Sequence, residues 1–172
     1  MTTTTTTRSI SAADTAKLVR KALKALWPAV KFSVRTSTYS GGASIDVGWT
    51  DGPTPKEVEA ITSRFEGASF DGMIDLKTHH TTEYQGERVH FMADYIFTNR
   101  KHGVAAYQAA VDRLAERYGV AAPAVLVSSY DGGPYCDPAH PTTGVLLRGR
   151  YNFSELVSAV LDGSDIVMGL FA

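Results

Sequence analysis

The order of apolar and polar residues predicts alternating helices and strands in the first hundred residues. Ser11 and Asp14 have the spacing of a helix N-terminal cap, with aspartate in the place of the usual glutamate. Apolar residues then recur at helical spacing until Pro28, which ends the helix, while the basic residues between them point elsewhere. Apolar and polar residues alternate over residues 30–36, which predicts a strand with one buried face.

A hairpin, a second helix and two further strands are predicted next. A turn signal at residues 40–42 precedes a second alternating segment at residues 45–49, and Thr54 followed by Pro55 is typical of a helix start. A third strand is predicted to begin at Phe70. A long fourth strand is predicted over residues 89–97, with Phe91, Tyr95 and Phe97 on its buried face. The predicted order is therefore α-β-β-α-β-β.

The rest of the chain predicts a smaller α-β-β-α unit. Its helices are predicted at residues 107–118 and 153–161, and its strands at 124–130 and 145–151. A Tyr-x-Gly-Gly run closes a strand at both Tyr39 and Tyr130, which indicates either an internal repeat or a shared turn composition. The apolar residues 166–172 are expected to dock against the body of the protein.

These patterns predict an α+β fold in which helices pack on one face of an antiparallel sheet. The tract of threonines at residues 2–7 has nothing to pack, so residues 1–10 are predicted to form a disordered tail. Residues 11–172 are expected to form one compact body. Within it, residues 11–103 form the first unit and residues 104–172 the second.

Charge and composition narrow the class of protein. The formal net charge of −1 argues against non-specific binding of nucleic acid by the chain as a whole, although it leaves room for a local basic patch. The single cysteine, Cys136, excludes an intramolecular disulfide. No apolar run reaches the roughly 18–20 residues that span a bilayer, and the N-terminus lacks the apolar segment of a signal peptide. We therefore expect a cytoplasmic protein without a membrane partner.

Two short clusters have the residue types of a reactive site. His79 and His80 are followed by Glu83, but the spacing is not that of helical zinc motifs, and adjacent strand residues point to opposite faces. Cys136 and His140 put a thiol and an imidazole in one loop, without an orienting third group other than Asp137. For the first cluster we favour a solvated hairpin between the third and fourth strands, and for the second an exposed loop, so no metal or cofactor is expected. Phosphate-loop, dinucleotide-binding and nucleophile-elbow motifs are also absent from the sequence.

A larger polar group is predicted on one face of the sheet. Its members are Asp71, Asp75, Lys77 and His79 on the third strand and His90 and Asp94 on the fourth, beside Arg35 and Asp46. Together these side chains would suffice for acid–base chemistry or for binding a polar ligand. The simpler interpretation, which we favour, is the solvated face of a half-covered sheet.

Several short runs resemble a known family. They are residues 30–35 (VKFSVR), 39–42 (YSGG), 44–47 (SIDV), 49–53 (WTDGP), 65–67 (FEG) and 70–75 (FDGMID). The chain resembles the large polyvalent protein-associated domains of type 29 over about residues 12–102, most specifically at residues 65–75. The resemblance implies carriage on phages, plasmids or other mobile elements of bacteria, and a suspected role in counter-defence against restriction or CRISPR immunity. It implies no catalytic residues.

The favoured hypothesis is a non-enzymatic binding protein that docks a host protein or nucleoprotein complex. Its expected contact residues are Arg35, Tyr39, Asp71 and Asp75. One alternative is an enzyme that processes nucleic acid or a nucleotide with Asp75, His90 and Asp94. Another is a binder of single-stranded nucleic acid that uses Lys31, Arg35 and the two turn tyrosines. The sequence makes no prediction of the oligomeric state.

Overall fold

The computed structural model describes residues 7–73, 75–144, 146–147 and 151–163, and only the backbone of Asp71. The chain divides into two compact units between Arg100 and Lys101. This division falls a few residues before the predicted boundary at residues 103 and 104. That the two parts form one compact body stays a prediction.

The first unit is a mixture of helices and short strands. Its elements are β1 (Arg8–Ile10), α1 (Ala12–Leu26), β2 (Ser33–Tyr39), β3 (Gly42–Thr50), α2 (Pro55–Thr62), β4 (Ala68–Asp71), β5 (Leu76–His79), β6 (Thr82–Tyr84), β7 (Glu87–Phe91) and β8 (Tyr95–Lys101). The strands form a sheet of order β2-β3-β8, a second of order β1-β7-β6, and the pair β4-β5. The predicted α+β fold is confirmed.

Both helices of the first unit begin at the predicted caps. The Ser11 hydroxyl accepts a hydrogen bond from the Asp14 backbone N–H, which satisfies one of the free donors of the first turn. Thr54 and Glu57 form a reciprocal capping box at the start of α2. α1 ends at Leu26, two residues before Pro28, as the sequence predicted.

The core of this unit forms where α1 covers the β2–β3 hairpin and the segment after α2. Val19 and Leu23 of α1 and Ile45 and Val47 of β3 are fully buried in one apolar cluster. Phe65 and Phe91 join the cluster, with ring centroids 5.5 Å apart in an edge-to-face arrangement. Alternation along β3 therefore predicted the buried face of this strand correctly.

The disordered tail was predicted to include residues 8–10, and the structure shows otherwise. Residues 8–10 form β1, which runs parallel to β7 with Ile10 opposite Phe91. Ile10 is buried, and its carbonyl accepts a hydrogen bond from the Met92 N–H. A short strand that completes a sheet carries too few residues to give a periodic signal, which explains the error. Residues 1–6 lie outside the described part of the chain.

The predicted long strand over residues 89–97 is broken. β7 ends at Phe91 and β8 begins at Tyr95, and the intervening residues change which face each side chain occupies. Ile96 is buried, whereas Phe97 is exposed and Tyr95 only half-buried. The prediction that Tyr95 and Phe97 belong to the core was wrong, because alternation is preserved only along an uninterrupted strand.

Residues 92–94, between β7 and β8, form what we call the strand break, and they contact the segment that follows α2. Gly67 donates its N–H to the Ala93 carbonyl over 2.8 Å, and Ala68 donates to the Asp94 carbonyl over 3.3 Å. A Cβ atom at Gly67 would lie 1.7 Å from the Phe91 carbonyl oxygen. This position therefore requires glycine because the two backbones approach closely, and not because of an unusual backbone conformation.

The predicted third strand is a hairpin. β4 and β5 pair antiparallel, with Phe70 opposite Lys77 and Asp71 opposite Leu76. Asp75, in the turn between them, has a left-handed backbone with φ of 50°. The stretch after β5, predicted as a solvated hairpin, contains β6, which pairs antiparallel with β7 across a tight turn at Gln85-Gly86.

The second unit has its own small core. Its elements are α3 (Val104–Tyr118), β9 (Val125–Val127), β10 (Pro134–Cys136), β11 (Leu146–Leu147), β12 (Tyr151–Asn152) and α4 (Phe153–Asp162). β9 and β10 pair antiparallel, and so do β11 and β12. Val111 and Leu114 of α3 pack with Phe153 and Leu156 of α4. The expected docking of residues 166–172 lies outside the described residues.

The two Tyr-x-Gly-Gly runs occupy similar positions. Tyr39 ends β2 immediately before the turn into β3, and Tyr130 lies in the turn between β9 and β10. Both runs therefore connect the strands of an antiparallel hairpin. Whether the two units descend from one duplicated ancestor stays a hypothesis.

Within the described residues, no helix combines the length and apolar character that a membrane crossing needs.

The close approach at Gly67 leads to a stability prediction. We expect Gly67→Ala to lower the free energy of unfolding by about 2 kcal/mol, because the added methyl group must displace the Phe91 carbonyl. Gly72→Ala is the matched control, since the nearest atom to its new methyl group is 3.8 Å away. We expect it to change stability by less than about 0.5 kcal/mol. Urea unfolding followed by circular dichroism measures both, and equal effects would refute the close approach.

Candidate functional site

The buried carboxylate of Asp94 is the point at which three separated segments of the first unit meet. Its side chain is only 5% exposed. Oδ2 accepts hydrogen bonds from the Tyr39 hydroxyl at 2.8 Å and from the Ala43 N–H at 3.2 Å, and it pairs with Lys77 Nζ at 2.7 Å. We call Asp94, Tyr39 and Lys77 the Asp94 cluster.

The β2–β3 turn is shaped to admit this carboxylate. Tyr39 lies opposite Gly42 in the antiparallel register, and a Cβ atom at Gly42 would lie 1.8 Å from Asp94 Oδ2. The backbone of Asp94 reinforces the contact, because its N–H donates to the Ala43 carbonyl over 2.7 Å. Lys77 Nζ also donates to the Gly41 carbonyl over 3.2 Å, so its ammonium group bridges the turn and the carboxylate. The second glycine of the Tyr-x-Gly-Gly run is thus required by the space that Asp94 occupies.

The donors around Asp94 outweigh the effect of burial. Burial by itself would raise the pKa of the Asp94 carboxyl group, but hydrogen bonds from Lys77 and Tyr39 and the positive charge of Lys77 lower it overall. The same geometry raises the pKa of the Tyr39 hydroxyl to about 12, through burial and its hydrogen bond to a carboxylate. Asp94 is therefore ionised and Tyr39 is neutral at physiological pH.

Three histidines lie along the edge of this cluster. His79 Nδ1 is 3.9 Å from Asp94 Oδ1, and its ring is 5.6 Å from that of His90, nearly at right angles. His90 Nδ1 lies 2.8 Å from the carbonyl oxygen of His80, and because a carbonyl only accepts, this nitrogen carries the proton. His80 Nε2 is 2.8 Å from the Ser69 hydroxyl. The three imidazoles thus contact different partners.

The alternative catalytic set is only partly assembled. Asp75 lies exposed in the β4–β5 turn, and no hydrogen bond or ion pair joins it to His90 or Asp94. His90 approaches Asp94 only through His79. Among the described residues, no group of three or more His, Cys, Asp or Glu side chains is arranged to hold a metal ion.

The predicted contact residues lie in different places. Tyr39 belongs to the Asp94 cluster while 45% of its surface remains exposed. Arg35 is exposed on β2, opposite Asp46 of β3. Asp75 is exposed in the β4–β5 turn, and the backbone of Asp71 ends β4. The four residues therefore divide between the β2–β3 hairpin and the β4–β5 hairpin.

The β4–β5 hairpin carries an exposed apolar surface that the sequence reasoning missed. Phe70 is 56% exposed, Met73 95% and Leu76 51%. We call these three residues the hairpin tip. The pattern of apolar residues assigns Phe70 and Leu76 to one strand and gives no signal for Met73, although the Asp71-Gly72 turn signal predicts a reversal of the chain at this point.

The base of this hairpin is fixed to the body of the first unit. Glu66 Oε1 accepts a hydrogen bond from the Ile96 N–H at 2.8 Å, next to the contacts of Gly67 and Ala68 with the strand break. Burial raises the pKa of the Glu66 carboxyl group, the hydrogen bond from Ile96 lowers it, and the nearby Glu59 raises it further. Lys77, which belongs to β5, connects the other strand to Asp94. β4 is thus held at its base, and β5 is held at Lys77, which lies opposite Phe70.

These features define a small α+β unit built around one buried carboxylate. A family model described as large polyvalent protein associated domain 29 matches residues 10–107, more than half of the chain. The chain belongs to this family, which confirms the resemblance. Membership associates it with polyvalent proteins of phages and other mobile elements. Comparisons with curated proteins and with solved structures gave no match.

The Asp94 cluster leads to a prediction about pH. We expect Asp94→Asn to lower the free energy of unfolding at pH 7 by about 2 kcal/mol, since the amide loses the charge-assisted bond with Lys77. A carboxyl group whose pKa is lowered by folding stabilises the protein above its unfolded pKa of about 3.9. That stabilisation is lost as the pH falls through the lower, folded value. The difference between the two proteins should therefore shrink below about pH 4.

Urea unfolding of both proteins between pH 7 and pH 3 tests this prediction. Asp46→Asn is the control, because Asp46 is an exposed aspartate on β3. We expect it to change the free energy of unfolding by less than about 0.5 kcal/mol. If the difference between wild type and Asp94→Asn stays constant down to pH 3, the proposed linkage is wrong.

Proposed function

We propose that this protein is a non-enzymatic binding protein of a mobile element, and that it docks a protein or nucleoprotein complex of the bacterial host through the hairpin tip. The observation that carries the proposal is the exposure of Phe70, Met73 and Leu76 on one short hairpin, where the register puts Phe70 and Leu76 on opposite faces. Isolated apolar residues are common on protein surfaces, whereas large ones concentrated at the end of one hairpin, on both of its faces, favour insertion into a partner.

The composition of the hairpin tip suits a contact with a protein. Aromatic residues and methionine are enriched at the centres of interfaces, where they fill pockets on the partner, and a polar rim surrounds them. Asp75 lies in the same hairpin turn, and Lys77 follows Leu76 on β5. Tyr39 contacts the Asp94 carboxylate that also holds Lys77. We place Tyr39, Asp71 and Asp75 in the rim, with Arg35 further along β2.

The rigid base of the hairpin supports the same conclusion. Glu66 and Gly67 attach one side of it to the strand break, and Lys77 attaches the other side to Asp94. Holding a contact surface in place before binding lowers the entropy lost on association. In this proposal, the Asp94 cluster contributes by positioning the hairpin and does not itself react.

The contacts of Asp94 weigh against the enzymatic alternative. A general base needs a free lone pair and a pKa near the working pH. Asp94 Oδ2 is already surrounded by Tyr39, Ala43 and Lys77, and the pKa of its carboxyl group is lowered. Asp94 is therefore a weak base, and we do not assign it a catalytic role.

The family suggests which host complexes are candidates. Proteins of mobile elements meet the defences of the cell they enter, and we propose that the partner is a restriction or CRISPR complex in the cytoplasm. Its binding would block the defence without cleaving or modifying anything. This role requires a contact surface rather than a reactive site, in agreement with the exposed hairpin tip.

Affinity capture from a host lysate tests the proposal. We expect the triple variant Phe70→Ser, Met73→Ser, Leu76→Ser to recover the partner at least about tenfold less than the wild type, because the loss of even one well-buried interface residue typically costs that much. The matched control is Leu26→Ser, Met92→Ser, Phe97→Ser, which removes the same residue types elsewhere in the same unit, the leucine and phenylalanine at equal exposure and the methionine at 52% exposure.

The captured proteins are quantified by mass spectrometry, with and without nuclease treatment. Nuclease-resistant capture identifies a protein contact, and nuclease-sensitive capture identifies a contact through nucleic acid. The proposal fails if the hairpin-tip variant and the control recover the same proteins in equal amounts. Thermal melting of both variants verifies that they fold.

A further inference from the structure

A row of basic side chains follows one face of α1. Lys17, Arg20, Lys21 and Lys24 are spaced i, i+3, i+4 and i+7, and all four are exposed. Residues at this spacing are neighbours on one side of a helix, and the rise of 1.5 Å per residue puts Lys17 and Lys24 about 10 Å apart along the axis. Like charges one turn apart destabilise a helix, and among the described residues Lys17 is the one member of the row with an ion-pair partner, Asp14 at 2.8 Å.

Beside this row lies a concave surface between α1 and β2. It is a depression of about 370 Å³ lined by Arg20, Lys24, Pro28, Val30, Lys31 and Phe32. Three of its six lining residues are cations and none is acidic. Arg20 is oriented by a hydrogen bond that its guanidinium group donates to the Val34 carbonyl of β2. Because a guanidinium group has five N–H donors, it retains others for a ligand.

Charge along the sequence is strongly uneven. Residues 11–35 contain six lysines and arginines and one acidic residue. The rest of the chain contains eleven lysines and arginines and seventeen acidic residues. The net charge of −1 for the whole chain therefore conceals a basic segment, and the exposed part of this segment is the α1 row with the adjoining depression. We call Arg20, Lys24 and Lys31, together with Lys17 and Lys21, the basic face.

We propose that the basic face binds the phosphate backbone of a nucleic acid. A row of cations along one side of a helix complements a polymer that carries a negative charge at every nucleotide. The planar fork of Arg20 matches two oxygens of a phosphate group. An acidic protein surface has no such repeat, so the geometry favours nucleic acid as the partner. This site uses none of the residues of the hairpin tip and stands or falls independently of the proposed function.

Fluorescence anisotropy with labelled 20-mers tests the proposal on the full chain. Single-stranded DNA, duplex DNA and single-stranded RNA are titrated at 50 and 200 mM salt. Three phosphate contacts give a slope of log K against log salt of about −2 to −3, so the affinity should fall about 20- to 40-fold across this range. Binding of any of the three supports recognition of the phosphate backbone, which all of them contain. The oligonucleotide that binds most tightly identifies the class of nucleic acid.

Two double variants locate the site. Lys24→Gln with Lys31→Gln removes two cations of the depression and leaves the Arg20 hydrogen bond intact, so the magnitude of the slope should decrease by about 1.4–1.8. Lys56→Gln with Arg88→Gln removes the same charge from exposed positions outside the basic face and should leave the slope unchanged. Melting temperatures verify the fold of both variants.

Three results would overturn the proposal. The first is no binding of any oligonucleotide at 50 mM salt. The second is an equal change in slope for the two double variants. The third is competition by polyglutamate at the same charge concentration as effective as competition by unlabelled DNA, which would identify a general polyanion surface. Weaker competition by polyglutamate supports recognition of the phosphate backbone.

Discussion

The ionised carboxylate of Asp94 connects segments of the first unit that are far apart along the chain. It receives Tyr39 and Ala43 from the β2–β3 hairpin and Lys77 from the β4–β5 hairpin, while its own backbone bonds to Ala43 and Ala68. A buried carboxylate is costly unless donors surround it, and this one has three. Because its partners come from segments separated by many residues, losing the charge would loosen both hairpins from the strand break.

This arrangement separates structural from functional polar groups. The side chains most suggestive of catalysis, Asp94 and its neighbours, satisfy one another and leave Asp94 a weak base. Two other surfaces are the proposed contact sites. One is the apolar hairpin tip, which Lys77 connects to Asp94, and the other is the basic face of α1. Binding through both surfaces would require a partner with protein and nucleic-acid components.

The sequence placed part of the polar site correctly. Strand parity grouped Lys77, His79 and Asp94, and the structure brings these three residues together. It does so for another reason, because Asp94 lies between β7 and β8, and β5 pairs with β4 in a separate sheet. The same argument included Asp75, which lies in a turn, because it treated residues 70–79 as one strand. It could not foresee the bond between Tyr39 and Asp94, since these residues are 55 positions apart and neither has an unusual neighbour. Met73 escaped attention because a single apolar residue in a turn carries no periodic signal.

The sequence by itself determined the helices with their caps, the β2–β3 hairpin, the α+β class and membership of the family. Each of these depends on neighbours within a few residues, where periodicity and turn chemistry apply. Only the tertiary structure decided the break between β7 and β8, the pairing of β1 with β7, and the burial of Asp94. These depend on how closely distant segments approach. The Phe91 backbone approaches Gly67 and the Asp94 side chain approaches Gly42 because neither glycine has a side chain, and this leaves no pattern in the local sequence.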